Sequence, residues 1–408
     1  MNHQYKIVIF LLILLSVFPE KHILSQKLGV KSIAMQQINE PIINEKEIID
    51  SHSINAFKDS FRQVKNLNYL FKSSSDSYQT FRIPAIVTTN SGKILAFAEG
   101  RVNGSSDTGD IDLVMKSSTN GGKTWSPLQI IWNDKNNVCG NPAPVVDKET
   151  GEIHLLITWN LGDDHERDII SGKSKNTRRV FISSSLNDGE DWTIPKEITA
   201  TTKLKNWTWY ATGPCHGIQL KHGQNKGRLI IPCDHIEAQT QKYYSHIIYS
   251  DDHGKTWQLG GSTPQDKVNE CTVAELPDGK LILNMRNYDR SQKSRKICFS
   301  SNGGITWSDI KPDTALIEPI CQASLLYSEI NNTLYFLNPA STKSRTNMTL
   351  KSSSDLGHSW QAVKVLYAGA SAYSDMTLID KNKLACLYEV GINSPYEGIV
   401  FETVDINN

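Results

Sequence analysis

The sequence predicts an all-β fold, and within that class a six-bladed β-propeller built of four-stranded antiparallel blades. Two repeats in the 408 residues carry this prediction. An eight-residue turn motif, here called the box, occurs five times at intervals of 50 to 67 residues, and a pair of short apolar strands occurs six times. A fixed turn that returns at such intervals is typical of propellers and other repeat arrays.

The box has the pattern of a turn that leads into a buried strand. In one copy, Asp252 can accept hydrogen bonds from backbone N–H groups ahead of it, Gly254 supplies a positive φ, and Trp257 anchors the next strand in a core. A box is a folding device that assigns no chemistry, and propellers that carry it also serve as sorting receptors and assembly factors. The five copies span residues 118–125, 185–192, 250–257, 300–307 and 353–360.

Six apolar hairpins lie between the boxes, and each would supply two strands of one blade. Six hairpins with five boxes predict six blades, the last of which lacks a box because the sequence ends there. A strand near residues 68–71 is expected to complete that blade beside residues 399–403, which would leave no open sheet edge. The hairpins pair residues 83–89 with 94–98, 143–146 with 153–157, 217–220 with 228–231, 272–276 with 280–283, 323–327 with 334–337 and 376–379 with 383–387.

The N-terminal part of the chain differs from the repeats. Residues 1–25 contain a lysine followed by a short apolar run at residues 7–18, which predicts a signal peptide. Residues 26–65 are polar without a sustained period, which predicts a linker or short cap, and residues 66–408 are expected to form one propeller domain. We therefore expect a secreted, periplasmic or cell-surface protein with no membrane span in the mature chain. An uncleaved membrane anchor is the alternative.

Composition excludes several classes of partner. The 43 basic residues balance 43 acidic ones, which gives no support to nucleic acid or an anionic membrane as a partner. The seven cysteines contain no C-x-x-C pair and no zinc-ligand spacing, so we expect neither a metal nor another cofactor. Most cysteines are expected to be buried, although Cys215 and Cys233 lie on one hairpin and a disulfide between them stays open. We expect a monomer.

Three arginines fall where strands of different hairpins end. Arg82 opens the first hairpin, and Arg286 and Arg345 follow the second strands of the fourth and fifth. Because such strand ends meet around a propeller axis, the three would form a cluster of positive charge that needs an anion. A surface salt bridge is the alternative for any single one of them. Three that point toward one centre favour a carboxylate, which a guanidinium binds through paired hydrogen bonds.

Acidic and phenolic side chains are expected at the same place. Glu270 begins the fourth hairpin, Tyr373 precedes the sixth, and Glu389 ends the sixth. Asp107 lies in a loop rich in glycine and serine, residues 101–110, that follows the first hairpin. A flexible loop that carries an acid above a ring of arginines is a reasonable position for a proton donor.

Taken together, these motifs resemble the exo-sialidases, or neuraminidases, of the Asp-box propeller superfamily. The resemblance covers residues 69–404, and the boxes correspond to Asp-box turns. Residues 163–180 further look like the bacterial-type secreted members of the family. The phrases that match in order are Phe-Arg-Ile-Pro at Arg82, Glu-Cys-Thr-Val-Ala-Glu at Glu270, Ala-Tyr-Ser-Asp at Tyr373 and Leu-Tyr-Glu at Glu389.

The resemblance implies a set of substrate contacts. The carboxylate of sialic acid would be held by Arg82, Arg286 and Arg345, with Glu389 orienting the first of them. Contacts to the C4 hydroxyl and to the acetamido or glycerol arm would come from Arg101, Asn141 and either Trp209 or Tyr210. A position in the hydrophobic core is the alternative for Trp209.

The resemblance also implies a catalytic set. Tyr373 would be the nucleophile, Glu270 its base and Asp107 the acid/base, with Asp110 as the alternative acid. A neutral tyrosine suits this reaction because the anomeric carbon carries a carboxylate that would repel a carboxylate nucleophile. The nearby arginines are expected to lower the pKa of Tyr373.

Two classes of function follow from these residues. One is a retaining hydrolase that releases terminal α-linked sialic acid from glycoproteins, gangliosides or oligosaccharides. The other is a propeller that binds sialylated glycans without turnover, which would keep the arginines but need neither Tyr373 nor Glu270. Their presence favours the enzyme. A trans-sialidase, or an intramolecular version that makes an anhydro sugar, would share the same residues and stays open.

Overall fold

The described part of the chain is an all-β structure, as predicted. The computed structural model describes residues 67–406, in which 24 strands are accompanied by two short helices, α1 (Glu166–Ile170) and α2 (Thr199–Thr202), and a 3-10 turn at Gly223–Asn225. The helices in this part of the chain lack the length and apolar character needed to cross a membrane. The predicted signal peptide and the predicted linker or cap lie outside the described residues.

The strands form four hydrogen-bonded sheets. The first contains β2 (Thr80–Thr88), β3 (Ile94–Arg101), β4 (Ile111–Ser118), β5 (Gln129–Trp132), β6 (Val138–Val146), β7 (Ile153–Asn160), β8 (Arg179–Ser185) and β9 (Lys196–Glu197). The second contains β10 (Trp207–Thr212), β11 (Ile218–Gln219), β12 (Leu229–Glu237), β13 (Tyr243–Ser250) and β14 (Gln258–Ser262). The third contains β15 (Val268–Glu275), β16 (Leu281–Asn287), β17 (Ser294–Ser300) and β18 (Lys311–Ile317). The fourth contains β1 (Tyr69–Lys72), β19 (Ser324–Ser328), β20 (Thr333–Pro339), β21 (Thr346–Ser353), β22 (Gln361–Asp380), β23 (Lys383–Gly391) and β24 (Gly398–Asp405).

The largest two sheets each combine two of the repeats. In the first sheet, β4 and β6 meet through a parallel pair between Ile111 and Val138. In the fourth sheet, the 20-residue β22 pairs with β21 along its first half and with β23 along its second. The sequence predicted two separate strands here, one after the last box and one in the sixth hairpin. They form one continuous strand, and no proline interrupts residues 361–380.

The six predicted hairpins are all present as antiparallel pairs. An N-terminal strand was expected to pair with the C-terminal one, and this is confirmed: Tyr69 on β1 lies opposite Val400 on β24. Phe71 on the same strand is fully buried. The hairpins are β2 with β3, β6 with β7, β11 with β12, β15 with β16, β19 with β20 and β22 with β23.

The boxes form the predicted turns. Asp252 Oδ1 accepts a hydrogen bond from the backbone N–H of Thr256 at 2.9 Å, and Gly254 has a φ of +78°. Trp257 is buried, and its indole N–H donates to the carbonyl oxygen of Gly254 at 3.1 Å. The same contact to the N–H four residues ahead is made in the other copies by Asn120, Asn187, Asn302 and Asp355.

One core cluster joins the two ends of the repeat array. Phe81 and Ile94 of the first hairpin pack with Leu387 and Ile399 near the C-terminus. Side chains from both ends of the described chain can therefore reach a common cavity. All seven cysteines are buried free thiols, so the alternative disulfide on the third hairpin is not formed.

Candidate active site

Polar side chains from all four sheets line a cavity of about 220 Å³. Glu389 is fully buried behind the cavity wall, while the alternative acid, Asp110, lies outside the lining. The lining includes nine of the residues that the sequence singled out for the site, namely Arg82, Arg101, Asp107, Asn141, Trp209, Glu270, Arg286, Arg345 and Tyr373.

Arg82 on β2 is held from behind by Glu389 on β23. Its Nε donates to Glu389 Oε1 at 3.0 Å and its Nη2 donates to Oε2 at 3.3 Å. Glu389 also accepts hydrogen bonds from the backbone N–H groups of Ile83, at 3.0 Å, and Tyr373, at 3.1 Å. The carboxylate thus ties the first and sixth hairpins together. It fixes the guanidinium plane, which leaves Arg82 Nη1 on the cavity side, 3.8 Å from Asp107 Oδ1.

The other two predicted arginines surround the same point. Arg286 lies within β16, rather than beyond it as the sequence suggested, and its Nη1 donates to Glu270 Oε2 at 2.5 Å. Arg345 immediately precedes β21, and its Nη1 donates to the hydroxyl of Tyr396 at 2.8 Å. The guanidinium carbons of Arg82 and Arg345 lie 5.0 Å and 5.6 Å from the centre of the Tyr373 ring. Three positive charges therefore converge on this ring.

Tyr373 and Glu270 are hydrogen-bonded partners. The phenol donates a short hydrogen bond to Glu270 Oε1 and accepts one from Arg286 Nη1 at 2.9 Å. Burial and the negative charge of Glu270 raise the pKa of Tyr373 well above its usual value, and the lowering effects of Arg286 and its neighbours do not offset them. The arginines do lower this pKa, as expected, but the net shift is upward. Desolvation outweighs their attraction, so the phenol keeps its proton in the free protein.

Asp107 reaches the cavity from the loop after β3. Arg101 Nη2 lies 2.7 Å from Asp107 Oδ1, and the same guanidinium donates through Nε to Glu99 at 2.9 Å. Burial alone would raise the pKa of Asp107, but the charges of Arg101 and Arg82 outweigh it and lower that pKa. In the free protein Asp107 is therefore an ionised carboxylate at the mouth of the cavity.

Asn141 and Trp209 line the side of the cavity formed by β6 and β10. Asn141 Oδ1 accepts a hydrogen bond from Arg178 Nη1 at 3.0 Å, and the guanidinium carbon of Arg178 lies 3.6 Å from the centre of a ring of Trp209. Trp209 is half-buried, so the core interpretation of this residue is wrong. Tyr210 is fully buried among apolar side chains and does not line the cavity.

Several cavity residues were missed by sequence reasoning. Arg178 and Glu166 belong to the stretch 163–180, which had drawn attention only through family resemblance. Tyr396 carried no signal, because only the fold brings it against Arg345. Asp234 could have been noticed, since it is an acidic residue that interrupts the apolar strand β12.

Five of the strands that line the cavity share a backbone irregularity. On β2, β6, β10, β15 and β22 the pairing register shifts near a cavity residue, and such bulges redirect side chains beside active sites. Asn141 and Ile83 also adopt positive φ values of +51° and +56° in these segments. The shifts fall between Arg82 and Ala85, Gly140 and Ala143, Trp207 and Tyr210, Val268 and Cys271, and Ser371 and Ser374.

The boxes, the fold and the cavity together define a BNR-repeat protein, and the family described as the BNR repeat-like domain matches residues 92–386. Within that class the chain belongs to the sialidase family. It is 32% identical over 341 residues to a sialidase of Bacteroides fragilis, an alignment that covers 78% of this chain and 61% of the relative. It is 30% identical over 335 residues to a sialidase of Micromonospora viridifaciens, covering 79% of this chain and 51% of the relative.

Comparison with solved structures leads to the same family as the sequence relatives. A solved structure described as a Hadza microbial sialidase is 29% identical with a TM-score of 0.74, and the match covers 83% of this chain and 68% of that one. The chain spans less than two thirds of the length of the Bacteroides and Micromonospora proteins.

Proposed function

We propose that the protein is a retaining exo-α-sialidase that hydrolyses terminal α-linked sialic acid from glycoproteins, gangliosides or oligosaccharides. One observation carries the proposal. A buried tyrosine, Tyr373, is hydrogen-bonded to Glu270 and contacted by Arg286 inside a cavity that holds two more arginines. A binding protein for the same sugar would need the arginines alone.

The arginines would bind the substrate carboxylate. The two hydrogen bonds from Glu389 fix the plane of Arg82, and Arg345 is oriented by Tyr396, so little side-chain entropy is lost when an anion binds. A carboxylate at this point would place the anomeric carbon beside the Tyr373 hydroxyl. The contacts of Arg101, Asn141 and Trp209 would then fall on the ring substituents.

Tyr373 would attack the anomeric carbon. The phenol is a weak nucleophile while protonated, and Glu270 is positioned to take its proton as the new bond forms. Arg286 contacts both partners, so its charge would stabilise the phenolate character that develops in the transition state. Hydrolysis of the covalent intermediate by water would complete two displacements, with net retention.

Asp107 would protonate the leaving oxygen and later activate the water. It is ionised in the free protein because Arg101 and Arg82 lower its pKa. A substrate carboxylate on Arg82 would neutralise part of that positive charge, which would raise the pKa of Asp107 and let it carry a proton. Binding and acid catalysis would thus be coupled through Arg82.

The finer architecture is also a proposal. We infer that the four sheets comprise six blades, because six hairpins are present and the two largest sheets join repeats through one parallel pair and one continuous strand. Residues 1–25 are proposed to be a signal peptide, residues 26–65 a linker or cap, and residues 66–408 one domain of a secreted or surface protein that acts as a monomer. N-terminal sequencing that finds Met1 on a mature cytoplasmic product would overturn the secretion proposal.

A fluorogenic α-sialoside followed by analysis of the early product tests the activity. We expect release of the fluorophore, with sialic acid appearing first as the α anomer in NMR spectra. Binding of the sialoside without release of the fluorophore would favour a protein that binds sialylated glycans without turnover. Transfer to an added galactoside, or an anhydro sugar as the product, would favour a trans-sialidase instead. The β anomer as the first product would contradict the tyrosine mechanism.

A further inference from the structure

Asp234 is a buried carboxyl group in the cavity wall that the proposed mechanism does not use. It lies on β12, opposite Ala211 of β10 and Ser245 of β13, and its side of the cavity also contains Trp209 and Arg178. The residue is 1% exposed. Both of its carboxyl oxygens are buried without a hydrogen-bond partner among residues 67–406.

A buried carboxyl group without hydrogen-bond partners lowers the stability of the fold unless a ligand supplies those partners. Within the described chain, Asp234 has no lysine, arginine or histidine nitrogen within 4.0 Å, whereas Glu270 and Glu389 are each paired with an arginine. A buried carboxylate with neither an ion pair nor hydrogen bonds is strongly disfavoured, so the uncharged acid is favoured. Burial and the charge of Glu270 raise the pKa of Asp234 well above its usual value, against the weaker pull of Arg178 and Arg286.

The protonation state limits what can bind there. A protonated carboxyl group offers one hydrogen-bond donor and one acceptor, and a hydroxyl group offers the same pair. An anionic ligand group would be repelled by Glu270 and Glu166, and the arginines across the cavity already suit an anion. A neutral hydroxyl therefore fits this wall.

We infer that Asp234, in its uncharged form, binds a hydroxyl group of the bound sugar and selects substrates that carry it. The inference rests on the proposed sialoside substrate but assigns a contact beyond its carboxylate and its reacting carbon. Asp234 would both donate a hydrogen bond to that hydroxyl and accept one from it, which satisfies the two oxygens left without partners.

Two substitutions separate this role from a structural one. Asp234→Asn keeps the shape and places a donor group beside an acceptor without a charge, so its KM should lie closer to that of the wild type than the KM of an alanine variant does. Asp234→Ala removes the hydrogen bonds and should raise KM about threefold to tenfold with little change in kcat. Asp147→Asn is the matched control, because Asp147 is a buried aspartate outside the cavity, bonded to His253 at 2.7 Å. It should change stability but not KM.

The decisive measurement combines these variants with altered sugars. Affinity for sialic acid and for analogues that each lack one hydroxyl would be measured by titration calorimetry, which needs no turnover. The loss of affinity caused by Asp234→Ala should vanish for the analogue that lacks the hydroxyl bound by Asp234, and it should persist for the other analogues. An equal loss for every analogue, or Asp234→Asn as weak as Asp234→Ala, would overturn the inference. An inactive wild type with this binding pattern would overturn the proposed hydrolysis alone, and a wild type that binds no sialic acid would overturn both.

Discussion

Nη1 of Arg286 lies 2.9 Å from the phenol oxygen of Tyr373. The same nitrogen contacts Glu270, to which the phenol donates its proton in a hydrogen bond. The hydroxyl of Tyr373 thus has a proton acceptor and a positively charged group beside it, while burial and the charge of Glu270 raise its pKa and keep it protonated in the free protein. We therefore expect loss of this oxygen to affect the proposed chemistry far more than folding.

Replacing Tyr373 by Phe should lower kcat by at least about 10²-fold with a nearly unchanged melting temperature, because Glu270 keeps its pairing with Arg286. Steady-state kinetics and thermal unfolding would check both parts. Tyr335→Phe removes a hydroxyl from another buried tyrosine, outside the cavity, and should leave kcat unchanged. Normal turnover by the Tyr373 variant would rule out the assigned nucleophile.

Replacing Asp107 by Ala should slow substrates with poor leaving groups far more than aryl sialosides. A phenol leaves with little need of a proton, whereas a sugar alcohol needs an acid in the transition state. The measurement is the ratio of kcat/KM for sialyllactose to kcat/KM for an aryl sialoside, which should fall by about 10²-fold or more. Equal losses on both substrates would indicate a binding role for Asp107 instead.

Replacing Arg345 by Lys should raise KM by about 10-fold to 100-fold, the cost of a hydrogen bond to a charged group. The guanidinium holds Tyr396 through Nη1 and the carbonyl of Ile320 through Nη2, and a single ammonium cannot keep this geometry while it faces a carboxylate. Arg290→Lys, on an exposed turn, is the control and should leave KM unchanged. A similar KM for both variants would argue against a bound carboxylate at Arg345.

Replacing Phe71 by Ala should destabilise the protein by about 3–5 kcal/mol, because the side chain is fully buried against Phe81, with ring centres 5.5 Å apart. Denaturant unfolding would give the change in free energy. Lys72→Ala alters the next residue of β1, which is exposed, and should cost much less. Equal effects would mean that β1 contributes little to the packing between the first and last hairpins.

Acid should destabilise the fold through buried histidines. His154 is buried, and burial lowers its pKa to about 4 although Asp147 attracts the charged form. Between pH 6.5 and about 4 the unfolded state binds the proton and the folded state does not, so the free energy of unfolding falls by about 1.4 kcal/mol per pH unit for this group.

Thermal unfolding across this pH range would check the dependence on His154. His154→Gln, which cannot take up a proton, should flatten the curve relative to the wild type. His358→Gln, at an exposed position in the last box, should leave the wild-type slope in place. Parallel curves for the wild type and the His154 variant would contradict the assignment.

Much of the fold could be predicted because its signals are local. The hydrogen bond from Thr256 to Asp252 and the positive φ of Gly254 lie within one box, so eight residues suffice to specify the turn. Apolar runs on both sides of short turns likewise identified the six hairpins. Short sequence phrases, such as the one around Arg82, together with the family resemblance, predicted nine site residues that line the cavity of the structure.

Other features depend on contacts between distant repeats. The net rise in the pKa of Tyr373 reflects burial by several strands, which outweighs the arginines that the sequence made visible. Tyr396 and Arg178 entered the site only because folding brought them against Arg345 and Asn141. No local pattern encodes how much water a neighbouring strand excludes.

The sequence by itself therefore determined the repeats, the strand order along the chain and nine of the residues that line the cavity, because short segments specify each of these. The tertiary structure alone decided where strands bulge, which is how Glu270 and Tyr373 turn toward each other from different sheets. It also decided which carboxyl groups are paired and which, like Asp234, are left without a partner in the described chain. Burial and charge pairing are properties of the assembled strands, because they depend on the distances between residues far apart in the chain.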